Sequence, residues 1–340
     1  MDLQTLWFAA VAVLWTGFLL LEGFDFGVAA LLPVLGREPR DRHLMLRSIG
    51  PLWDGNEVWL ITAVGAVFAA FPGWYATWLP TLYLPFVLVL VGLIIRAVAF
   101  EWRHSHSTAE WDSTWTRVIT AGSLIAALGI GAALGATTLG LPIDGDGIRV
   151  GGSFAGVGWA ALLGAVAVLA FSLVHGAIFL SLKTEGPVRL AARRFARRWS
   201  PVAALPLLLW AGIVQLREGT LVTGLCWLVA ALAVLVTWAR IRVDREGQAF
   251  AGWALVLLGS MATVFGAAYP VVVPSTVSAA FDLTISQASV SDYTLTVMTW
   301  AAAVGLPVVL AYQAWTYWVF RKRLSAEPET PHTPAEPVTA

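Results

Sequence analysis

Six ionisable residues lie within or beside the first three long apolar runs of this 340-residue chain: Glu22, Asp25, Asp54, Glu57, Arg96 and Glu101. Charge inside a bilayer-length apolar stretch is costly and usually marks function. Glu22 and Asp25, in Leu-Glu-Gly-Phe-Asp-Phe-Gly, are three apart and share one helix face. Glu22 stands about 16 residues into its run, roughly 24 Å along a helix at 1.5 Å per residue. That is too deep for it to cap a helix end. Asp54 and Glu57, in Trp-Asp-Gly-Asn-Glu-Val-Trp, repeat the three-residue spacing at the start of the second run. Arg96 and then Glu101 lie toward the end of the third. One arginine cannot neutralise four acids, so the set has room for exchangeable protons. Linked acids at similar depth, open to one side, are what a proton relay needs. The spacing predicts a hydrophilic path that enters at Asp54 and leads to Asp25, with Glu22 and Glu57 beside it. Two plainer readings stand next to it. Asp54 is also a favoured type at a helix start, and Glu101 with Arg103 also reads as an interfacial ion pair.

These residues need a membrane around them, and the composition supplies one. The chain is 58% hydrophobic and only 12% charged, against about 25% charged in a soluble domain. Its mean hydropathy is +0.76. Apolar runs able to cross about 30 Å of hydrocarbon fall near residues 6–34, 54–71, 76–101, 116–139, 155–182, 201–216, 221–240, 250–269 and 293–320. No run alternates as a membrane barrel strand does. The expected fold is therefore an all-α integral membrane protein with about nine transmembrane helices, spanning residues 1–324. Residues 325–340, rich in Pro, Glu and Thr, predict a disordered cytoplasmic tail. The first run has no basic segment before it and is too long for a signal core, so it reads as a retained span.

Orientation follows from the basic residues. Arg37, Arg40, Arg42 and Arg47 follow the first span, and Arg103 and Arg117 the third. Lys183, Arg189, Arg193, Arg194, Arg197 and Arg198 follow the fifth. Arg240, Arg242 and Arg245 follow the seventh, and Arg321, Lys322 and Arg323 the ninth. Eighteen of the 21 Lys and Arg residues thus fall on one side, against Arg149 and Arg217 on the other. The N-terminus is expected outside and the C-terminus in the cytoplasm.

Other chemistry is narrowed by composition. A lone Cys226 excludes an internal disulfide framework and a thiolate metal cluster. Five histidines show no metal-ligand spacing. His175 alone lies well inside a span, and reads either as a hydrogen-bonded helix contact or as a relay or cofactor contact. Asp144-Gly-Asp146 lacks the downstream acids of a calcium loop. Trp7, Trp53, Trp74, Trp78, Trp315 and Trp318 near span ends read as an interfacial aromatic belt. Gly131 and Gly135 form a close-packing pair. A net charge of zero gives no indication of a nucleic-acid partner.

Several segments resemble subunit II of cytochrome bd-type quinol oxidases. They are Glu-Gly-Phe-Asp-Phe-Gly at 22–27, Ile-Gly-Pro-Leu-Trp-Asp-Gly-Asn-Glu-Val-Trp-Leu at 49–60, Phe-Ala-Ala-Phe-Pro-Gly-Trp-Tyr-Ala at 68–76 and Ile-Arg-Ala-Val-Ala-Phe-Glu-Trp-Arg at 95–103. Leu-Lys-Thr-Glu-Gly at 182–186, Phe-Gly-Ala-Ala-Tyr-Pro at 265–270 and Thr-Tyr-Trp-Val-Phe-Arg at 316–321 extend the likeness along nearly the whole chain. The resemblance implies two four-helix bundles plus one peripheral helix. It implies a larger subunit I that carries haem b and haem d, oxidises quinol and reduces oxygen to water with cytoplasmic protons. Membrane lipid and small accessory subunits are further expected partners. It also implies that Asp25 and Asp54 belong to a proton path with Arg96 as electrostatic partner. A structural menaquinone or ubiquinone is expected near Trp53 and Arg96. Glu22 and Glu57 stand where other members often carry Asp and Gln. The related cyanide-insensitive oxidases share this architecture. A proton-coupled transporter is a third possibility, disfavoured because no second acid set occurs in the later spans.

Overall fold

The structure is a computed structural model and describes residues 2–106 and 108–326, apart from the His104 side chain. Helix α1 covers Leu3–Ala30, started by Asp2, whose carboxylate accepts the Thr5 amide at 2.7 Å. A short α2 (Leu32–Leu35) and an amphipathic α3 (Pro39–Ile49) lead into α4 (Trp53–Ala70). Next come α5 (Pro72–Thr81) and α6 (Tyr83–Trp102), then α7 (Ala109–Leu139) and α8 (Trp159–Lys183). The second half holds α9 (Gly186–Ala203), α10 (Leu205–Glu218), α11 (Leu221–Arg242) and α12 (Glu246–Ala268). A four-residue α13 (Ile285–Ala288) and the long α14 (Asp292–Val319) complete the chain.

Most of these helices are apolar on every side, which suits a lipid solvent that cannot satisfy a bare backbone. Among the described residues, eight helices are long and apolar enough to cross a membrane, with α9 and α10 taken as one element over Gly186–Glu218. The run expected at 54–71 is present as α4. Its 18 residues reach about 27 Å, but Asp54, Asn56 and Glu57 in the first two turns lower its apolar character. The run expected at 76–101 is broken at Leu82, between Pro80 and Pro85, into α5 and α6. The all-α class expected of the chain holds, and outside the spans one short strand pair accompanies the helices. Val271–Val273 (β1) pairs antiparallel with Leu283–Thr284 (β2), through an irregular register joining Val271 to Thr284 and Val273 to Leu283. Three consecutive β-branched residues favour that extended geometry.

Helices α1, α4, α6 and α7 form one packed group, and α8, α10, α11 and α12 a second. The groups are joined by α8, which packs on both α1 and α7. Close approach there depends on glycine. A Cβ on Gly135 would stand 2.6 Å from the Ala160 carbonyl oxygen and 2.8 Å from Gly164 Cα, so the small pair at 131 and 135 serves packing within the chain. Helix α14 lies at the edge against α1 and α4, with Leu295 its one buried residue among those described. The tryptophans divide differently from the expected belt. Trp315 and Trp318 are exposed, but Trp74 and Trp78 are buried in the core with Trp15, Trp210 and Trp253. Of the expected disordered tail, only Ser325 and Ala326 lie among the described residues.

Candidate functional site

The apolar packing of α1, α4 and α6 leaves one polar centre. Helix α1 brings Glu22 and Asp25, α4 brings Asn56 and Glu57, and α6 brings Arg96. Glu22, Asp25, Asn56 and Arg96 are fully buried. Arg96 Nη1 forms an ion pair with Glu22 Oε1 and another with Glu57 Oε1 at 3.1 Å. The Glu57 side chain is 20% exposed, so it stands between the buried pair and the surface. The guanidinium also lies over three rings: Phe26 at 5.0 Å, Phe100 at 5.3 Å and Trp53 at 5.9 Å. This cage offsets part of the cost of burying the cation.

Asp25 adjoins this set, within hydrogen-bond reach of Glu22 on the same helix, and has a further partner. Its Oδ2 accepts Asn56 Nδ2 at 2.7 Å, and the same amide reaches the Leu21 carbonyl at 3.4 Å. Asn56 Oδ1 in turn accepts the Tyr317 hydroxyl at 2.8 Å and Gln313 Nε2 at 3.5 Å, both from α14. Trp59 Nε1 donates to Gln313 Oε1 at 2.7 Å. Arg96, expected as the electrostatic partner of Asp25 and Asp54, makes its direct ion pairs with Glu22 and Glu57, and its charge also acts on Asp25. Asp54 is exposed in the first turn of α4. Leu52 occupies the cap position with no side-chain cap bond, so Asp54 does not close the helix as a capping residue would. It stands one turn before Glu57.

Glu101 is exposed, and Arg103 pairs with Asp112 rather than with Glu101. Burial pushes the Arg103 guanidinium below its ordinary range, and Asp112 opposes that shift. Glu101, Arg103, Trp53, Phe100 and Lys183 share the lining of a cavity of about 480 Å³. His175 is fully buried, with Nε2 2.9 Å from the Leu20 carbonyl oxygen. Phe250 lies 4.8 Å and Phe171 5.0 Å from its ring. With that nitrogen engaged and rings against it, the site does not fit haem ligation. Among the described residues no group of three or more His, Cys, Asp or Glu is placed to hold a metal ion. The Asp144 carboxylate accepts the amides of Asp146 and Ile148, so the acidic turn is engaged by its own backbone.

Sequence reasoning missed Asn56, Trp59, Gln313 and Tyr317, and the ring cage of Phe26 and Phe100. Gln313 and Tyr317 are four apart in an otherwise apolar run, a spacing that puts them on one helix face. That signal was available. Their contact with a residue more than 250 positions earlier was not.

A family model described as cytochrome bd terminal oxidase subunit II matches residues 3–320. Subunit 2 of the Bacillus subtilis cytochrome bd ubiquinol oxidase is 38% identical over 337 residues, covering 97% of this chain and 99% of the relative. Subunit 2 of the Escherichia coli K12 cytochrome bd-I ubiquinol oxidase is 34% identical over 367 residues, covering 96% of each. A chain of the bd oxidase of Geobacillus thermodenitrificans superposes with a TM-score of 0.78 at 16% identity, covering 94% of this chain and 99% of that one, a likeness of fold. With near-complete coverage on both sides, the chain belongs to the cytochrome bd terminal oxidase subunit II family.

Proposed function

We propose that this chain supplies the proton route of its oxidase, entering at Asp54 and passing Glu57 and Glu22 to Asp25. As a family member it is a subunit of a respiratory quinol oxidase, a multi-pass protein of the cell membrane that accompanies a subunit I in a haem-containing complex. On the proposed reading, subunit I carries the b and d haems, oxidises quinol and reduces oxygen to water. Residues 1–324 form the membrane domain and residues 325–340 a cytoplasmic tail, with the N-terminus outside. Protons then enter from the cytoplasmic side.

What supports the route is a gradient of burial along linked carboxyls. Asp54 is exposed, Glu57 is one-fifth exposed, and Glu22 and Asp25 are buried. Arg96 holds Glu57 and Glu22 on one guanidinium, so both remain close while the single cation offsets one of their two charges and leaves room for a proton. Of the two residues expected beside a quinone, Trp53 borders the 480 Å³ cavity, whereas Arg96 is enclosed. A structural menaquinone or ubiquinone would therefore meet this subunit at Trp53.

The test is oxygen-pulsed proton uptake by the assembled complex. Asp54→Asn and Asp25→Asn are each expected to slow uptake by about a hundredfold, the scale of one positioned proton-transfer group. Wild-type uptake in either variant, at normal haem content, refutes the route.

A further inference from the structure

We infer that Trp59, Gln313 and Tyr317 are positioning residues for the buried acid: they lock the Asn56 amide with its NH2 group toward Asp25 Oδ2, leaving Asp25 Oδ1 to take and release the proton. The inference rests on the route proposed above and assigns a role to α14, which that route does not use.

The polarity of the network is set by a group with no choice. An indole N–H donates and cannot accept. Trp59 Nε1 therefore fixes the oxygen of Gln313 toward itself, at 2.7 Å, and turns Gln313 Nε2 toward Asn56 Oδ1. That 3.5 Å contact is long. The Tyr317 hydroxyl, 2.8 Å from the same oxygen, provides the stronger donor. With Oδ1 taken by two donors, the Asn56 amide has its Nδ2 free for Asp25 Oδ2 at 2.7 Å and for the Leu21 carbonyl. A flipped amide would set its oxygen against a carboxylate oxygen and its NH2 against the Gln313 and Tyr317 donors.

The two oxygens of Asp25 are thereby unlike. Oδ2 receives a donated hydrogen bond, whereas Oδ1 is buried with no N–H donor on it, and the Glu22 carboxyl is the neighbour within hydrogen-bond reach of Asp25 that can share its proton. An unpartnered buried anionic oxygen is costly. A proton on Asp25 is accordingly held at Oδ1. The charged and ionisable groups that act on it are Glu22 on its own helix, Glu57 on α4, Arg96 on α6 and Tyr317 on α14.

The placement of α14 makes this role distinct from general packing. Among its described residues only Leu295 is buried. It is tied to the rest of the chain through polar groups on one stripe: Thr299, which accepts the Trp7 indole at 3.0 Å, then Gln313 and Tyr317. A small displacement of α14 would reach Asp25 through a single amide.

The experiment uses purified complexes of normal haem spectrum carrying Asn56→Leu, Tyr317→Phe, Gln313→Leu or Trp59→Phe. Removing a donor from a carboxylate favours its protonated form. The alkaline limb of the turnover–pH profile should move upward by about half a unit or more in Asn56→Leu, roughly a threefold change in the proton equilibrium. Tyr317→Phe and Gln313→Leu should move it the same way by less. The infrared carboxyl band lost in Asp25→Asn should shift in all of them. Trp59→Phe keeps the test available if Tyr317→Phe does not assemble. A positional role limited to packing would lower turnover without moving limb or band. Limb and band both unmoved in the four variants overturn the inference, even if Asp25→Asn blocks proton uptake. A shifted band with wild-type uptake in Asp25→Asn instead upholds the lock and refutes the route.

Discussion

Replacing Arg96 with methionine removes the one cation from a centre that holds two of its paired carboxylates. Glu22 and Arg96 are both fully buried, so the variant leaves Glu22 without a counter-charge in the protein interior. Breaking a buried pair from one side costs about 3–5 kcal/mol. Glu57 is partly exposed and adds about 1 kcal/mol at most. The methionine side chain keeps most of the apolar contact with Phe26, Phe100 and Trp53, so the lost charge accounts for most of the effect. The denaturation midpoint of the purified complex should fall accordingly, followed by near-ultraviolet circular dichroism with haem spectra recorded in parallel. The second substitution decides the cause. Glu22→Gln added to Arg96→Met removes the stranded charge and should restore at least about 2 kcal/mol. Arg96→Lys should fall between wild type and Arg96→Met, because an ammonium keeps the charge but not the planar guanidinium that lies over the Phe26, Phe100 and Trp53 rings. A double variant as unstable as Arg96→Met alone, or Arg96→Met as stable as wild type, would refute the electrostatic account.

The crossing of α7 and α8 predicts opposite outcomes at two glycines. Gly164→Ala would place a Cβ 2.8 Å from Gly135 Cα and against the Gly131 carbonyl, which should cost about 1–3 kcal/mol by forcing the helices apart. Gly65→Ala, with nothing within 4 Å in the interior of α4, should instead stabilise by about 0.5–1 kcal/mol. Denaturation midpoints of the two variants separate these, and equal loss in both would refute the close-packing argument. At the start of α1, the Thr5 hydroxyl and amide hold the Asp2 carboxyl below its ordinary value of 3.8. A lowered folded value means the cap is complete above the unfolded value and is lost as pH falls through the folded one. The protection factor of the Thr5 amide, its exchange rate relative to an unstructured amide at the same pH, should therefore be high at neutral pH and fall below pH 3.8. Asp2→Ala should show low protection at every pH.

The spans were legible because their signal is local. Apolar runs of bilayer length marked α1, α7, α8, α11, α12 and α14 to within a few residues, apart from the start of α7, whose first turns are polar. The break at Leu82 was less visible, since Pro80 and Pro85 lie in a run that remains apolar throughout. The buried acids were legible for the same local reason: an ionisable residue deep in such a run has few neutral explanations. How they pair was not. Spacing along α1, α4 and α6 set Glu22, Glu57 and Arg96 at similar depth, but only the helix rotations decide that Arg96 meets those two and that Asp25 meets Asn56. Trp74 and Trp78 show the converse. Their place near a span end matched a belt, and their burial follows from how α5 packs among α4, α6 and α13, with Trp78 edge-on to Trp15 of α1.

Because the chain is made from its N-terminus, α14 follows every other helix described here. Asp25 is laid down with the first helix, Asn56 with α4, and the two groups that orient Asn56 come with α14. Among the described helices, the last in chain order therefore completes the hydrogen bonds of Asn56. A nascent chain paused before residue 313 would already hold Glu22, Asp25 and Arg96 in lipid, with the Asn56 amide still free to turn. The orientation of the Asn56 amide thus waits on the insertion of α14.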